Sequence, residues 1–353
     1  MKTYGNLYGK VCSPANLLLA FRKARKGKSK KWYVKRFEAD LDNELALLKR
    51  ELEEQTYEPR PLKRFVIRDP KTRVIHASHF RDRVVHHALC NVLEPIFDRT
   101  FIHDSYANRK GKGGLAALDR FDCFKRKASG NGRLVHGAKD NNMVIGYVLK
   151  ADIRHYFPSV NHEILVDILR RKIRDEKVLW LVGKILSNND TILPKGMPIG
   201  NQTSQFFANV YLNELDYFVK HDLRAKFYLR YVDDFVILDR SEARLMSFRS
   251  KINGFLEQRL KLELHEEKSQ VRPLHNGTSL LGFRVFYHYR IPKRRNLLKL
   301  EKRMLNLKRL YEAGDVSTED VAKSLDGWMA YAAQGNTFGL RKSLSERYGN
   351  MLL

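Results

Sequence analysis

The stretch FYLRYVDDFVIL, Phe227 to Leu238, decides how this chain is interpreted. Its adjacent carboxylates, Asp233 and Asp234, lie between two short apolar runs of strand-forming residues, whereas aspartate itself is a poor strand former. We therefore predict a β-hairpin with both acids at its tip. Side by side, the two groups repel each other and lose solvation, so a cation between them would stabilise both. A divalent metal with oxygen ligands is the simplest such cation.

The chain is strongly basic: its 353 residues include 66 Lys and Arg against 40 Asp and Glu, a formal net charge of +26. An excess of this size predicts a polyanionic partner, either nucleic acid or an anionic membrane. No apolar run approaches the roughly 18 residues of a membrane span, and no charged-then-apolar signal segment opens the chain. We therefore expect a cytoplasmic protein with no membrane partner. The length predicts two or three lobes rather than one.

The cysteine pattern argues against a structural zinc site. Cys12, Cys90 and Cys123 are widely separated and lack CxxC spacing, which indicates reduced thiols rather than a disulfide framework. His86 and His87 lie in a segment with apolar periodicity, so we expect a structural role for them.

Hydrophobic periodicity outlines the elements that precede the hairpin. Leucines recur at helical spacing from Leu41 to Leu52, and residues 81 to 97 also predict an amphipathic helix. Residues 63 to 75 predict two strands joined by a turn at Asp69-Pro70. The basic segment 22–36, with interleaved Trp and Tyr, suits phosphate contact with base stacking, or is a solvated basic loop.

A third acid, Asp152, follows a predicted buried strand. The apolar run from Val144 to Leu149 has the length of such a strand, and Asp152 lies just beyond its end. Taken alone, Asp152 would be interpreted as a helix N-cap or turn aspartate. If its strand and the hairpin are neighbours in one antiparallel sheet, the three carboxylates meet at one edge and can hold two Mg²⁺ ions. Two such ions suit in-line nucleotidyl transfer, the chemistry of a polymerase.

A second basic region lies near the C-terminal end. From Arg284 to Arg309 the sequence has ten Lys or Arg and one Glu. Apolar residues between Leu297 and Tyr311 step by three and four, which predicts a basic amphipathic helix in a separate helical lobe.

Five ordered motifs are similar to those of reverse transcriptases, and the upstream segment is similar to the fingers motifs of prokaryotic members. The five motifs are KADIRHYF (150–157), GMPIGNQTSQ (196–205), YVDD (231–234), HEEK (265–268) and LGF (281–283), and the fingers motifs include Arg73, FRDR (80–83) and Ser105-Tyr106. The similarity extends over most of residues 60 to 285. It implies an RNA-directed DNA polymerase with a right-hand α/β (α+β) fold, in which fingers and palm surround an antiparallel sheet. The expected division is a basic N-terminal extension with a helix at 1–60, fingers and palm at 61–285, and a helical thumb at 286–353.

The resemblance implies roles for the acids and for one lysine. Asp152 and Asp233 would be the principal metal ligands, with Asp234 nearby and supportive. The implied cofactor is a pair of Mg²⁺ ions, with Mn²⁺ as an alternative. Lys268 matches a lysine near the pyrophosphate that could donate a proton to it. Alternatively, Lys268 forms a surface ion pair with the glutamates around it.

Further residues match positions that contact the incoming nucleotide. Lys71 and Arg73 match fingers residues that grip the triphosphate. Phe157 matches the steric gate, where a bulky ring would clash with a ribose 2′-hydroxyl; alternatively it is a core residue. Ile199, Gly200 and Gln205 belong to the segment beneath the templating base pair.

This last segment departs from the usual pattern of Gln-Gly followed by Ser-Pro. The sequence Ile-Gly-x-x-x-Ser-Gln, from Ile199 to Gln205, resembles the reverse transcriptases of diversity-generating retroelements, which copy a template RNA with frequent errors opposite adenine. Apolar Ile199 in place of an amide would remove a hydrogen-bonding constraint next to the nascent pair. A lineage variant with ordinary fidelity stays open. The implied partners are template RNA, an RNA–DNA duplex, deoxynucleoside triphosphates and a small basic oligomeric accessory protein.

Three other classes of protein share parts of this sequence pattern. A retron or antiphage-defence reverse transcriptase and a free-standing group II intron-like reverse transcriptase share the polymerase chemistry. A catalytically silent RNA-binding protein has little physical reason to retain three mutually repelling acids. The length leaves room for a helical thumb after Gly282, so we expect neither an RNase H nor an HNH-type endonuclease domain.

Overall fold

Helices form most of the first sixty residues. A computed structural model of the chain describes residues 2–68, 72–188 and 194–349. The first helices are α1 (Tyr8–Cys12), α2 (Pro14–Arg25), α3 (Trp32–Ala39) and α4 (Leu41–Glu53). The hydroxyl of Ser13 accepts the N–H of Asn16 and caps α2, and Pro14 occupies the first helical position. The predicted helix at 41–52 is confirmed, with Leu48 and Leu52 buried.

A two-stranded hairpin and two long helices follow. They are β1 (Lys63–Ile67), β2 (Arg73–Ala77), α5 (Phe80–Asp98) and α6 (Gly114–Ala128). The strands β1 and β2 pair antiparallel, which confirms the predicted strands. The predicted turn at Asp69-Pro70 and the candidate residue Lys71 lie outside the described residues. Helix α5 confirms the helix predicted over 81–97, and its His86 is buried within 3.2 Å of the Thr203 hydroxyl.

The central sheet has four antiparallel strands in the order β4-β5-β3-β6. They are β3 (Tyr147–Asp152), β4 (Phe227–Tyr231), β5 (Asp234–Asp239) and β6 (Gln270–Pro273). The sheet and hairpin confirm the predicted mixed α and β fold class. Strand β3 begins three residues after the predicted start at Val144 and includes Asp152. The reason is Gly146, whose φ of +105° interrupts the extended run and leaves Val144 in an isolated bridge with Leu134.

Helices cover the sheet. They are α7 (Tyr156–Ser159), α8 (His162–Arg170), α9 (Glu176–Ser187), α10 (Gln202–Tyr217) and α11 (Glu242–Phe255). Side chains of β5 alternate between two hydrophobic clusters, as the pleat requires. Phe235 and Ile237 join a large core shared with the N-terminal helices, whereas Val236 and Leu238 join a smaller one that includes residues of α6.

The C-terminal part has its own small core. The elements of this C-terminal part are β7 (Thr278–Leu280), β8 (Phe283–Val285), β9 (Arg290–Pro292), α12 (Arg294–Glu312), α13 (Thr318–Ala332) and α14 (Phe338–Gly349). Helix α12 confirms the predicted basic amphipathic helix. Its buried Leu300 and Met304 pack with Val321, Leu325 and Leu344. Across the described ranges, no helix combines the length and the apolar character that crossing a membrane requires.

Candidate active site at the edge of the central sheet

The three acids singled out in the sequence lie at one edge of the central sheet. In the antiparallel register of β3 and β5, Asp152 is directly opposite Asp234. The N–H of Ile153 donates to the Asp233 carbonyl over 3.3 Å, which extends this pairing to the hairpin tip. Acids that are more than eighty residues apart in the chain are therefore neighbours in space, as the sequence predicts.

The backbone of Asp152 is fixed on both sides. Its N–H donates to the hydroxyl of the fully buried Ser269 over 3.2 Å, and its carbonyl accepts the N–H of His265 over 2.7 Å. The ammonium group of Lys268 donates to Oδ1 of Asp152 over 3.2 Å. Lys268 thus pairs with a candidate metal ligand, while the neighbouring Glu263 pairs with Arg154.

The electrostatics of the hairpin tip reflect crowded negative charge. Burial raises the pKa of Asp233 to about 6, with further contributions from the charges of Asp234 and Asp152, and the cation of Arg73 opposes the shift. Burial also raises the pKa of Asp234, and the ammonium of Lys150, 3.5 Å from its Oδ1, opposes that shift. Ionised, these acids form a site that needs more positive charge than the backbone supplies.

The turn between β4 and β5 is strained. Val232 has a φ of +56°, in the left-handed region that a β-branched residue rarely adopts. A conformation of this kind costs about 1–3 kcal/mol and persists only where the surroundings enforce it. Here the guanidinium of Arg230, itself fully buried, donates to the Val232 carbonyl over 3.0 Å. The strain lies next to the two acids.

The acids fit divalent ions that arrive together with a nucleotide. In the described part of the chain, Oδ1 of Asp234 is buried and accepts no hydrogen bond. No three His, Cys, Asp or Glu residues of the described ranges form a group that could hold an ion by themselves. Mg²⁺ is usually bound through one or two carboxylates with substrate phosphates and waters, rather than by an all-protein cage. Asp152 and Asp233 are carboxylates of the kind that such a site would use.

Of the predicted nucleotide contacts, Arg73 acts electrostatically on these acids, and Phe157 lies in the short helix that follows β3. Arg73 begins β2, is exposed, and is close enough to Asp233 to act on its pKa. Phe157 is half-buried in α7, its ring edge-on to Tyr156 at 5.3 Å, and packs partly against the large core. The carbonyl of Phe157 accepts the N–H of Met197 over 2.8 Å, which joins it to the segment that contains Ile199.

This segment is closely packed against the β1–β2 hairpin. Gly200 has a φ of +114°, a conformation that favours glycine, and a Cβ there would lie 3.1 Å from the Ile75 side chain, which would have to shift by a few tenths of an ångström. The buried side chain of Asn201 accepts the Ser78 hydroxyl over 2.8 Å. Ile199 is half-buried, and Gln205 lies in the first turn of α10.

Two residues of the site were not assigned from the sequence. Lys150 lies two positions before Asp152 on the same face of β3, and strand periodicity could have identified it. Arg230 is a charged residue inside a strand-forming run, the same kind of signal that drew attention to the acids.

Comparison with known proteins identifies the family. The family model described as reverse transcriptase (RNA-dependent DNA polymerase) matches residues 67–285. Protein YkfC of Escherichia coli is 27% identical over 293 residues, covering 70% of this chain and 72% of YkfC. The group II intron-encoded protein LtrA of Lactococcus lactis is 23% identical over 308 residues, covering 66% of this chain and 48% of LtrA. Among solved structures, truncated apo telomerase from Candida tropicalis aligns with a TM-score of 0.46 and 13% identity, over 69% of this chain and 57% of that one.

The matched region contains the central sheet and the three acids at its edge, together with the β2 strand and the segment 196–205. It makes up more than half of the chain. This chain belongs to the reverse transcriptase family, the RNA-directed DNA polymerases.

Proposed function

We propose that this chain copies a template RNA into complementary DNA at the sheet edge that carries Asp152, Asp233 and Asp234. The pairing of Asp152 with Asp234 across β3 and β5 supports this most directly. A silent RNA-binding scaffold would gain nothing from three half-buried acids at one edge, two of which, Asp233 and Asp234, have raised pKa values. We place the enzyme in the cytoplasm, with fingers and palm at 61–285, a thumb at 286–353 and a basic extension at 1–60.

Asp152 and Asp233 would hold divalent ions, with Asp234 in a supporting position. When bound, two Mg²⁺ ions, or Mn²⁺ in their place, supply activation of the primer 3′-hydroxyl and charge stabilisation of the departing pyrophosphate. The backbone bonds from Ser269 and His265 hold Asp152 in place before any ion arrives. The protein thereby orients its carboxylates in advance.

Cations of the chain would act on the triphosphate. Arg73, together with Lys71, would face the β- and γ-phosphates and offset charge that the metals leave uncompensated. Lys268 would donate a proton to the leaving pyrophosphate, and its 3.2 Å bond to Asp152 keeps its ammonium beside the reacting groups.

Phe157 would select deoxynucleotides. Its half-buried ring packs edge-on against Tyr156, and the bond from Met197 to its carbonyl fixes the backbone that carries the ring. A ribose 2′-hydroxyl over this ring would clash with it. Selection against ribonucleotides would then be steric.

The retroelement type rests on the segment from Ile199 to Gln205. Gly200 packs against Ile75 of the β1–β2 hairpin, and Asn201 bonds Ser78, so this segment is held near the residues that would cover the templating base. An apolar Ile199 there would relax discrimination, most of all opposite adenine, as in diversity-generating retroelements. The implied partners are the retroelement's structured RNA and a small basic oligomeric accessory protein.

Sequencing of the complementary DNA tests this proposal. The purified chain is supplied with an RNA template and deoxynucleotides, with and without the cognate RNA and accessory protein. We expect template-dependent DNA with errors concentrated opposite adenine. Ile199→Gln should lower those errors, whereas the matched variant Ile199→Leu, which stays apolar, should keep them.

A free-standing group II intron-like reverse transcriptase of ordinary fidelity is the second candidate, because LtrA is among the relatives. An even error spectrum that Ile199→Gln leaves unchanged would assign the chain to this class. DNA primed from a dedicated RNA would assign it to a retron or defence system instead. Absence of any nucleotide incorporation would overturn the polymerase proposal itself.

A further inference from the structure

Arg230 is among the largest fully buried side chains of the described residues. It lies in β4, four positions before the second acid of the hairpin. Its guanidinium forms a bidentate ion pair with Asp216 of α10, with Nε to Oδ1 at 2.7 Å and Nη2 to Oδ2 at 2.6 Å. Neither side chain has any exposed surface. A charge buried this deeply needs an explanation.

All five N–H donors of this guanidinium have partners. Two go to Asp216, as above. The other three go to the Val232 carbonyl (3.0 Å), the Asn209 side-chain carbonyl (3.3 Å) and the Ser105 hydroxyl (3.2 Å). Only the planar fork of arginine can supply five donors in fixed directions; a lysine ammonium supplies three from a single point.

These partners belong to three different parts of the fold. Asp216 and Asn209 are on α10, Ser105 precedes α6, and Val232 forms the hairpin turn. The backbone of Arg230 adds to the connection. Its N–H donates to the Asp104 carbonyl, and its carbonyl accepts the Tyr106 N–H, each over 3.0 Å. This one residue therefore connects the hairpin both to α10 and to the segment 104–106, just before the acids.

Stability alone is a poor explanation for the network. A buried ion pair is often no more stabilising than apolar residues of similar volume, because removing both charges from water is costly. Among the contacts that apolar residues cannot reproduce is the bond to the carbonyl of Val232, the residue held at a φ of +56°. A strained turn relaxes when its restraint is removed.

We propose that Arg230 is a positioning residue: by holding the carbonyl of Val232, it keeps the turn in the conformation that directs Asp233 and Asp234 toward the reacting groups. The proposal rests on the polymerase function proposed above. Arg230 itself touches neither nucleotide nor metal. Its loss should therefore lower kcat and leave nucleotide and RNA binding nearly unchanged.

Two variants and one control separate positioning from folding. Arg230→Lys keeps a positive charge beside Asp216 but cannot span to Val232. The double variant D216N/R230M removes both charges, so no unpaired charge is left buried. Tyr211→Phe is the matched control, since it deletes a different buried hydrogen bond of α10, from the Tyr211 hydroxyl to the Leu260 carbonyl.

Steady-state primer extension, RNA binding and thermal unfolding are measured on each protein, along with hydrogen exchange of the peptide covering 227–238. For Arg230→Lys and for the double variant we expect kcat to fall at least tenfold, with the nucleotide KM and RNA Kd within about twofold. The Mg²⁺ concentration for half-maximal rate should rise. Exchange at the hairpin should accelerate several-fold, and Tyr211→Phe should show none of these changes.

The result that overturns the proposal is a folded double variant with wild-type kcat and wild-type hairpin exchange. A kcat loss that merely follows the Tm, and equals that of Tyr211→Phe at equal Tm, overturns it as well. The hairpin exchange reports on positioning even where the wild type extends no primer. In that case the polymerase proposal fails, and faster exchange in the two Arg230 variants would still establish the restraint.

Discussion

Charged side chains are at least partly buried at the edge of the central sheet and exposed on the C-terminal helix α12. At the sheet edge, Asp152, Asp233 and Arg230 are at least partly buried, and each is tied to the fold by hydrogen bonds. On α12, by contrast, Lys302 and Arg303 are exposed, on a helix whose core contacts come from apolar residues such as Met304.

The difference follows from what each region would have to do. Bond formation needs reacting groups held to within a fraction of an ångström, so its residues must be fixed. Affinity for a phosphate backbone needs charge but little geometry, so exposed and movable cations serve as well. Changes at the sheet edge should therefore affect rate, and changes on α12 should affect binding.

Removing the hairpin acids should have the largest effect. The double variant Asp233→Ala and Asp234→Ala should abolish primer extension, a fall of about a thousandfold or more, because no other carboxylate of the hairpin could hold the ions. RNA affinity should stay nearly unchanged, since phosphate contacts supply most of it. Primer extension and RNA binding by the same preparation check both statements. Equal polymerisation by this variant would end the active-site assignment.

Arg73→Ala should have the next largest effect. Loss of a charge-assisted contact to the triphosphate is worth about 1.5–3 kcal/mol, so the KM for deoxynucleotides should rise roughly 10- to 100-fold. Arg64→Ala is the matched control, because Arg64 is an exposed arginine at the opposite end of the same β1–β2 ladder. Steady-state kinetics with varied nucleotide distinguishes them; a similar KM change in both would mean that only the overall charge of the hairpin matters.

Shrinking Phe157 to Val should change selectivity more than rate. We expect the preference for deoxy- over ribonucleotides to fall about tenfold or more, because the ring that would meet a 2′-hydroxyl is gone. The ratio of kcat/KM for the two nucleotides measures this. Tyr156→Phe is a control in the adjacent ring; its hydroxyl bonds the Ala208 carbonyl. If Phe157→Val only destabilises the protein, Phe157 is a core residue.

On α12 the effect should be smaller and should depend on salt. Lys302→Ala with Arg303→Ala should weaken RNA binding several-fold at moderate salt and reduce the salt slope of log K by roughly 0.7–0.9 for each lost contact. Saturating RNA should restore kcat. The exposed cations Lys251 and Arg259 give a matched charge-removal control, since they lie in and just after α11, which packs on β3 and β5. Equal salt slopes for the two double variants would erase the distinction between the regions.

The sequence predicted the fold in those places where the pattern is local. Alternating strand residues and helical leucines identified β1, β2, α4, α5 and α12, and motif order placed the acids on one sheet. The start of β3 was wrong because the apolar run gives no sign that Gly146 adopts a positive φ.

What the sequence could not supply is burial. Nothing in the run FYLRY indicates that Arg230 has no exposed surface or that all five of its donors are used, because Asp216, Asn209 and Ser105 come from distant positions. Strand periodicity places Lys150 on the same face as Asp152, but its ion pair with Asp234 follows only from the pairing of β3 with β5. The roles of the candidate residues in nucleotide contact stay predictions.

Substitution of His86 should have the smallest effect on activity. His86 lies in α5 and is buried against Thr203 of α10. Burial lowers the pKa of His86 to about 3, so it is neutral in the folded state, whereas an unfolded histidine titrates near 6.5. A lowered pKa contributes stability above the unfolded value that is lost progressively as the pH falls toward the folded value. Through this residue, lowering the pH from 7 to 5 should therefore reduce the free energy of unfolding by about 1–2 kcal/mol.

His86→Asn should remove that part of the pH dependence while leaving polymerisation at neutral pH close to wild type, because an amide can still bond the Thr203 hydroxyl. Urea unfolding at pH 7 and pH 5 measures the change in unfolding free energy for each protein. A packing defect caused by the substitution is the same at both pH values and cancels in that change. His136→Gln, at an exposed position, should leave the pH dependence as it is. Hydrogen exchange should show the acid-induced loosening in α5 and α10 rather than in α12 and α13, since the small C-terminal core is built of apolar residues. If exchange accelerates equally in both pairs of helices, acid destabilises the whole chain. The buried polar groups around α5 and α10 would then not be the cause of the pH dependence.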